Sequence, residues 1–358
     1  MTFLTDLQSL VECESPSEDL AACRRAVEVA QGIANQKLKP SAQIKEIGGR
    51  PVFWWGADSP KILLLAHLDT VWPIGSFNPV WEISGDVIKG PGVFDMKAGF
   101  LQALYALIEI PDAASKVALV ATTDEELGSQ TSRELIKELA RQADAVLVLE
   151  ASLDGKVKTG RKGTSMYQIS VAGRASHAGL EPEKGINASI EISHIVLTLA
   201  DLADTEHGTT VVPTVIKSGT TTNTVPALAT LDVDIRSFSS AELMRVDAAV
   251  RQLTTQHPEA VITITGGINR PPMELKATEA LYKKLELVAQ SLGMAPIGHA
   301  AVGGASDGNF AAAAGAQTLD GLGAVGSGAH APHEHVLLSS IQDRISLLAA
   351  FIKELIRD

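Results

Sequence analysis

The chain has 358 residues, 45% of them hydrophobic and 4% aromatic, with a net charge of −12. Its length exceeds what one compact core usually holds, so two domains are expected, and its composition is that of a soluble α/β protein. The acidic balance argues against a nucleic-acid surface, and no apolar run approaches the roughly 18 residues of a membrane span.

The opening segment carries Asp6, Glu12, Glu14 and Glu18 and lacks the basic region of a secretory signal, so a cytoplasmic location is expected. Helices are expected over 4–11 and 20–31. Cys13 and Cys23 read as lying in one helix and imply no disulfide framework. Next come a buried strand at 61–66, a helix at 96–108, a strand at 117–122, a helix at 132–141 and a strand at 145–149. This alternation predicts an α/β fold with a mostly parallel sheet flanked by helices. Around Gly163 the pattern changes to strand 167–173, helix 186–203, strands 209–217 and 229–236, helix 241–256 and strand 260–265. That order is the ferredoxin-like split unit, which can stand alone as an α+β domain. A helix at 278–292 and another from about 340 resume the first pattern. The expected organisation is one domain in two parts, 1–162 and 273–358, interrupted by an inserted domain, 163–272.

Several candidate site residues follow strands. Residues two apart in a strand face one side, so His67 could be a metal ligand with Asp69 orienting its ring, although a surface hydrogen-bonded pair fits equally well. Asp95 sits in Gly90-Pro-Gly-Val-Phe-Asp-Met-Lys-Ala-Gly. It reads either as the cap of a helix beginning at Met96 or as a carboxylate able to bridge two metals. Glu125 and Glu126 follow the 117–123 segment and can face different targets, one a metal and the other a water; two exposed glutamates leading into a helix are the plainer alternative. Glu150 ends an apolar strand and could equally be solvated there. His330-Ala-Pro-His333-Glu334-His335 suggests metal binding or a solvated loop. Gly321-Leu-Gly-Ala-Val-Gly326 spells a dinucleotide fingerprint, but Pro332 follows and no helix is expected to open there.

Together these pieces resemble the zinc metallopeptidase family of glutamate carboxypeptidases, aminoacylases, acetylornithine deacetylases and succinyl-diaminopimelate desuccinylases, in particular its glutamate-carboxypeptidase type. The matching segments are Leu-Leu-Ala-His67-Leu-Asp69-Thr-Val, the Gly90 to Gly99 turn, Thr-Asp-Glu125-Glu126-Leu-Gly-Ser, Gly173-Arg-Ala-Ser-His177-Ala-Gly, Asn223-Thr-Val-Pro-Ala and Gly-Ala-His330. The resemblance runs nearly the whole length. It implies a zinc-exopeptidase-like catalytic domain with an inserted lid and dimerisation domain, hence a homodimer through the lid.

Carried over residue by residue, the resemblance implies one Zn2+ on His67, Asp95 and Glu150 and a second on Asp95, Glu126 and His330, with Co2+ or Mn2+ as substitutes. Asp95 bridges, Glu125 is the general base and Asp69 supports His67. Two dications, three carboxylates and one bridging hydroxide make a neutral cluster. The implied reaction is amide hydrolysis of a C-terminal amino acid or an N-acyl amino acid, with His177 stabilising the oxyanion, often across the dimer interface. Arg236, Arg270 and Asn223 match positions that bind a small substrate's free carboxylate. Arg161 and Lys162 read as solvated charges at the hinge, and 303–307 resembles a pocket-lining turn. His333 and His335 depart from the pattern and could compete with His330, but Glu334, four residues after His330, matches it. His194, His207, His257 and His299 match nothing. Alternative functions are an acetylornithine-type deacetylase, a dipeptidase, or a non-catalytic amino-acid or peptide binder on the same scaffold.

Overall fold

A computed structural model describes residues 2–357. The chain divides into two compact units. The first is Met1–Gly160, Met273–Val302 and Ser306–Asp358; the second is Arg161–Pro272 with Gly303–Ala305.

The first unit begins with α1 (Phe3–Glu12), α2 (Leu20–Lys37), β1 (Gln43–Ile47), β2 (Arg50–Gly56) and β3 (Ile62–His67). A small hairpin, β4 (Glu82–Ser84) and β5 (Val87–Lys89), precedes α3 (Ala98–Ile108). Then come β6 (Val117–Thr122), α4 (Arg133–Gln142), β7 (Ala145–Val148) and β8 (Val157–Arg161). Every residue of β3 and of β6 is buried, as expected for strands covered on both faces, where an unbroken apolar run replaces alternation. The sheet order is β1-β2-β6-β3-β7 and then a later strand. Strands β6, β3 and β7 pair in parallel, while β1 and β2 form an antiparallel edge. That edge is absent from the pattern read off the sequence. Its turn is Gly48-Gly49, both at positive φ, which glycine adopts without a Cβ clash.

Two further expectations are corrected here. Cys13 follows α1 whereas Cys23 lies within α2, so the two do not share a helix; both are free thiols. The helix after the glycine turn begins at Ala98, not Met96, and Asp95 does not cap it. A wide turn, Val93–Lys97, intervenes, with Asp95 extended at φ −117° and ψ 88°, so its carboxylate is turned away from the capping role. Gly92 opens this turn at φ +70°. Gly99 lets α3 approach the end of β7 closely, since a Cβ there would lie 2.0 Å from the Leu149 carbonyl oxygen.

The second unit runs β9 (Gly163–Ala172), α5 (Ala188–Ala200), β10 (Thr210–Ser218), β11 (Leu228–Ser237), α6 (Ser240–Arg251) and β12 (Val261–Arg270). Its antiparallel order, β10-β11-β9-β12, is that of a ferredoxin-like sheet. Alternate residues Leu231, Val233 and Ile235 of β11 meet Ile192, Ile195 and Leu199 of α5 and Leu243, Val246 and Val250 of α6 in one core.

The chain returns to the first unit with α7 (Glu279–Ser291), β13 (His299–Val302), α8 (Asp307–Ala313), β14 (Gln317–Leu319), β15 (Gly326–Ser327), β16 (His335–Leu337) and α9 (Ile341–Arg357). Strand β14 adds in parallel to β7 and completes the six-stranded sheet. Ile341, Ile345, Leu348 and Ile352 give α9 a buried stripe at helical spacing against the core that holds α3.

Candidate metal centre

Three parallel strands deliver acidic or imidazole groups at their C-terminal ends, where open α/β sheets place their sites. His67 is the last residue of β3, Glu125 and Glu126 follow β6, and Glu150 follows β7. The Glu125–Glu126 turn is knitted by Asp124, whose Oδ2 accepts the Thr131 amide at 2.8 Å, the Thr131 hydroxyl at 2.6 Å and the Ser132 amide at 3.2 Å. Glu125 is buried and Glu126 partly so, which removes the reading of two exposed glutamates.

The geometry turns on Asp95. His67 Nε2 lies 3.3 Å from its Oδ1, and His330 Nε2 lies 3.3 Å from its Oδ2. One carboxylate thus offers each oxygen to a different imidazole. His67 Nε2 also lies 3.7 Å from Glu150 Oε1, and His330 Nε2 lies 3.0 Å from Glu126 Oε1. Donor atoms of His67, Asp95 and Glu126 fall within 4.8 Å of one another, as do those of His67, Glu125 and Glu150. The His335 ring bonds the His333 carbonyl at 2.8 Å. His330 holds φ at +61°, a conformation uncommon outside glycine and one that clusters at functional sites.

The electrostatics fit a cation. Burial disfavours charge on His67, yet its bonds to the carboxylates of Asp69 and Asp95 outweigh this and hold its pKa well above the ordinary value. Bonds to Asp95 and Glu126 push His330 up to about 10. Burial raises the Asp95 carboxyl, but the two imidazoles more than reverse that and lower it. Three carboxylates converging on two imidazole nitrogens concentrate negative charge that protonated rings or a bound cation would offset. The donor set of imidazole nitrogens and carboxylate oxygens suits a zinc-like ion.

Supporting contacts fix these groups. His67 Nδ1 donates to the Asp69 carbonyl at 3.0 Å, with the Asp69 carboxylate 3.5 Å away, which turns Nε2 toward Asp95 and Glu150. Asp69 Oδ2 accepts the Ser17 hydroxyl at 2.7 Å and the Glu126 amide at 3.2 Å. Glu334, fully buried, accepts the amides of Gly92 (3.1 Å), Phe94 (3.0 Å) and Asp95 (3.1 Å) and the Trp72 indole N–H (2.8 Å). Ser17 carried no signal in the sequence. Glu334 had only its spacing from His330.

The other candidates lie in the second unit. His177 Nδ1 accepts the amides of Gly179 and Leu180, each at 3.2 Å, so Nε2 carries the proton and is a donor. Thr224, next to Asn223, bridges to His177. Arg236 and Arg270 both pair with Thr164 of β9, one from each side, so the register puts all three on one face. Arg236 is held by Asp234 at 2.9 Å and also donates to the Gly303 carbonyl at 3.3 Å. Arg161 is buried, at 3% exposure, and donates to the Gly304 and Ala305 carbonyls, which corrects its reading as a solvated charge. Lys162 has its pKa lowered by burial and by the Arg236 charge.

The profile of peptidase family M20/M25/M40 matches residues 63–354, a span that contains His67, Asp95, Glu125, Glu126, Glu150 and His330. The chain belongs to that family. Carboxypeptidase G2 of a Pseudomonas species is 31% identical over 314 residues, covering 84% of this chain and 75% of the relative. Succinyl-diaminopimelate desuccinylase 1 of Alteromonas mediterranea is 27% identical, covering 80% of each. Among solved structures, aminopeptidase PepT from Bacillus cereus superposes with a TM-score of 0.77 at 19% identity, covering 99% of this chain and 98% of that one. The metallo-carboxypeptidase Sso-CP2 from Sulfolobus solfataricus gives 0.76 at 18% identity over 99% of both. These two likenesses concern the fold. The chain is therefore a hydrolase of the metallopeptidase and amidohydrolase type, in a family that depends on metal. Among its described residues no helix is long and apolar enough to cross a membrane.

Proposed function

We propose that this chain is a two-zinc hydrolase that cleaves the amide bond of a C-terminal amino acid or an N-acyl amino acid. One observation carries the reading: the two oxygens of Asp95 each face a different histidine, at 3.3 Å in both cases. His67, Asp95 and Glu150 would hold one ion, and Asp95, Glu126 and His330 the other. When bound, the ions lower the pKa of a water and polarise the substrate carbonyl.

The protein's own groups do the rest. Asp69 and the Ser17 hydroxyl keep the His67 ring oriented. Glu125, whose oxygen lies within 4.8 Å of donor atoms on His67 and Glu150, takes the water's proton and hands it to the leaving nitrogen. His177 serves as the oxyanion donor through Nε2, the nitrogen its backbone contacts leave protonated. The free carboxylate of the substrate is bound by Arg236, Arg270 and Asn223, and Lys162, its pKa lowered by burial and by the nearby Arg236 charge, adds positive charge. Asp234 already occupies part of the Arg236 guanidinium.

A homodimer through the second unit belongs to the same reading. Ile190 and Leu197 of α5 and Val212 and Ile216 of the edge strand β10 are more than half exposed or nearly so, at 55%, 65%, 48% and 53%. Light scattering should give twice the chain mass; a fully active monomer would remove this part. A cytoplasmic site of action completes the proposal.

The test is a hydrolysis panel of dipeptides, acetylated amino acids including acetylornithine, and peptides ending in glutamate, each beside its carboxyl-amidated counterpart, run with and without chelator. Release of the carboxylate-bearing amino acid, lost with chelator, is expected. Cleavage only of substrates whose carboxylate is blocked would overturn the specificity, and preference for acetylornithine would favour a deacetylase.

A further inference from the structure

Beside the centre, the first unit contains a pocket of about 890 Å³, within the range of small-molecule sites. Its walls are mostly aliphatic. Leu20, Val71 and Ile74 are 48%, 41% and 54% exposed, and all three line this one cavity together with Leu127. Scattered exposed aliphatic residues are ordinary, whereas these converge on one concavity, the shape that small-molecule sites take.

The walls are fixed in place. The segment through Ser17 runs alongside the residues after β3, with the Ser17 amide donating to the Thr70 carbonyl at 3.1 Å and the Thr70 amide to the Ser15 carbonyl at 2.8 Å. The Glu14 carboxylate accepts the Gly75 amide at 3.0 and 3.1 Å, which anchors the loop carrying Ile74. The pocket is also continuous with the centre, since Glu126 lines it and Ser17, another lining residue, donates to Asp69.

Charge decides which end of a substrate fits. Glu18, Asp19 and Glu126 line the pocket, and among the described residues no lysine or arginine does. Asp19 already caps α2 by accepting the Ala22 amide at 2.9 Å, so the helix end offers little to an anion. A carboxylate is disfavoured there, and the aliphatic walls of Leu20, Val71, Ile74 and Leu127 favour an apolar group.

We propose that this pocket receives the apolar group on the carbonyl side of the scissile amide, an acyl chain or its side-chain equivalent, and so sets the enzyme's preference for that half of the substrate. The proposal rests on the hydrolase reading given above. N-acetyl-, N-butanoyl- and N-hexanoyl-glutamate test it. Wild-type kcat/KM should rise roughly 2- to 4-fold per added methylene, as burial of apolar carbon predicts. Ile74→Glu and Leu20→Gln, both at exposed positions, should flatten that rise while retaining metal content. A wild-type series independent of chain length, or a rise preserved in both variants, overturns the pocket assignment and leaves amide hydrolysis standing. If none of the three is cleaved, the function reading fails for acyl substrates. Calorimetric binding of the same series to metal-loaded protein then decides the pocket by itself. Affinity that grows with chain length and is lost in Ile74→Glu supports it; absent or length-independent binding overturns it.

Discussion

Glu334→Gln probes how the Asp95 turn is held. The glutamate carboxylate accepts four donors, two on each oxygen: Phe94 and Asp95 amides on Oε1, the Gly92 amide and Trp72 indole on Oε2. Glutamine keeps one acceptor oxygen and turns an NH2 group toward the other pair, so two buried donors lose their acceptor. Hydrogen bonds to a charged group contribute about 1.5–3 kcal/mol each, which makes the gross loss roughly 3–6 kcal/mol. Part of this is returned. Burial is the largest influence on the Glu334 carboxyl and pushes its pKa up, so neutralising it relieves a desolvation cost. A net destabilisation of about 2–3 kcal/mol is expected. Urea unfolding followed by tryptophan fluorescence measures it in the right place, because Trp54, Trp55, Trp72 and Trp81 all belong to the first unit. Bound metal should fall as well, since the displaced turn carries Asp95. A change under about 0.5 kcal/mol with full metal content would refute the idea that Glu334 holds the turn.

Ser17→Ala deletes the hydroxyl donor to Asp69 and should weaken metal binding roughly 10- to 100-fold, read by competition with a chromogenic chelator; unchanged affinity would count against this support. Chelation should abolish turnover and lower the melting temperature, with zinc restoring both, since a ligand at 100 times its Kd adds about 2.7 kcal/mol. Activity indifferent to chelator would exclude a metal role. Burial, with the Asp69 charge adding to it, pushes the Cys23 thiol up to about 12 from 9.0. Because this folded pKa is raised, its stabilising contribution is complete below pH 9 and is lost as pH rises toward 12. Native Cys23 should therefore resist iodoacetamide at pH 9 while unfolded protein reacts, and equal labelling rates would contradict that burial.

The strands that carry the centre could be read directly, because a strand buried on both faces writes an unbroken apolar run. The sequence expectation at 117–122 coincides with β6, and that at 61–66 falls one residue short of β3. The antiparallel edge β1–β2 was not recognised. Strand β1 has exposed and half-buried positions with no apolar run, and Pro51 interrupts β2, although Gly48-Gly49 between them was a usable hairpin signal. Of the two readings open for Asp95, the helix cap follows from the usual place of acidic residues before helices; the wide Val93–Lys97 turn, tied to Glu334, overrides that preference. The bonds from Ser17 to Asp69 and from Glu334 to the Asp95 turn span 52 and 239 or more residues of chain. Nothing local in a sequence encodes such contacts, so the supporting groups emerged only from the folded arrangement. Arg161 illustrates the converse: a charged pair, Arg161-Lys162, at an expected domain boundary suggests solvent, yet Arg161 ends β8 and is buried against the carbonyls of Gly304 and Ala305.

The central claim is that two ions share Asp95 while Glu125 stays uncoordinated to move the proton. Metal content and turnover of Glu125→Gln, measured on the same preparation, test it most directly. Two ions per chain with kcat reduced about 10²- to 10⁴-fold is the predicted result. Loss of an ion from that variant, or turnover at the wild-type rate with both ions in place, would contradict it.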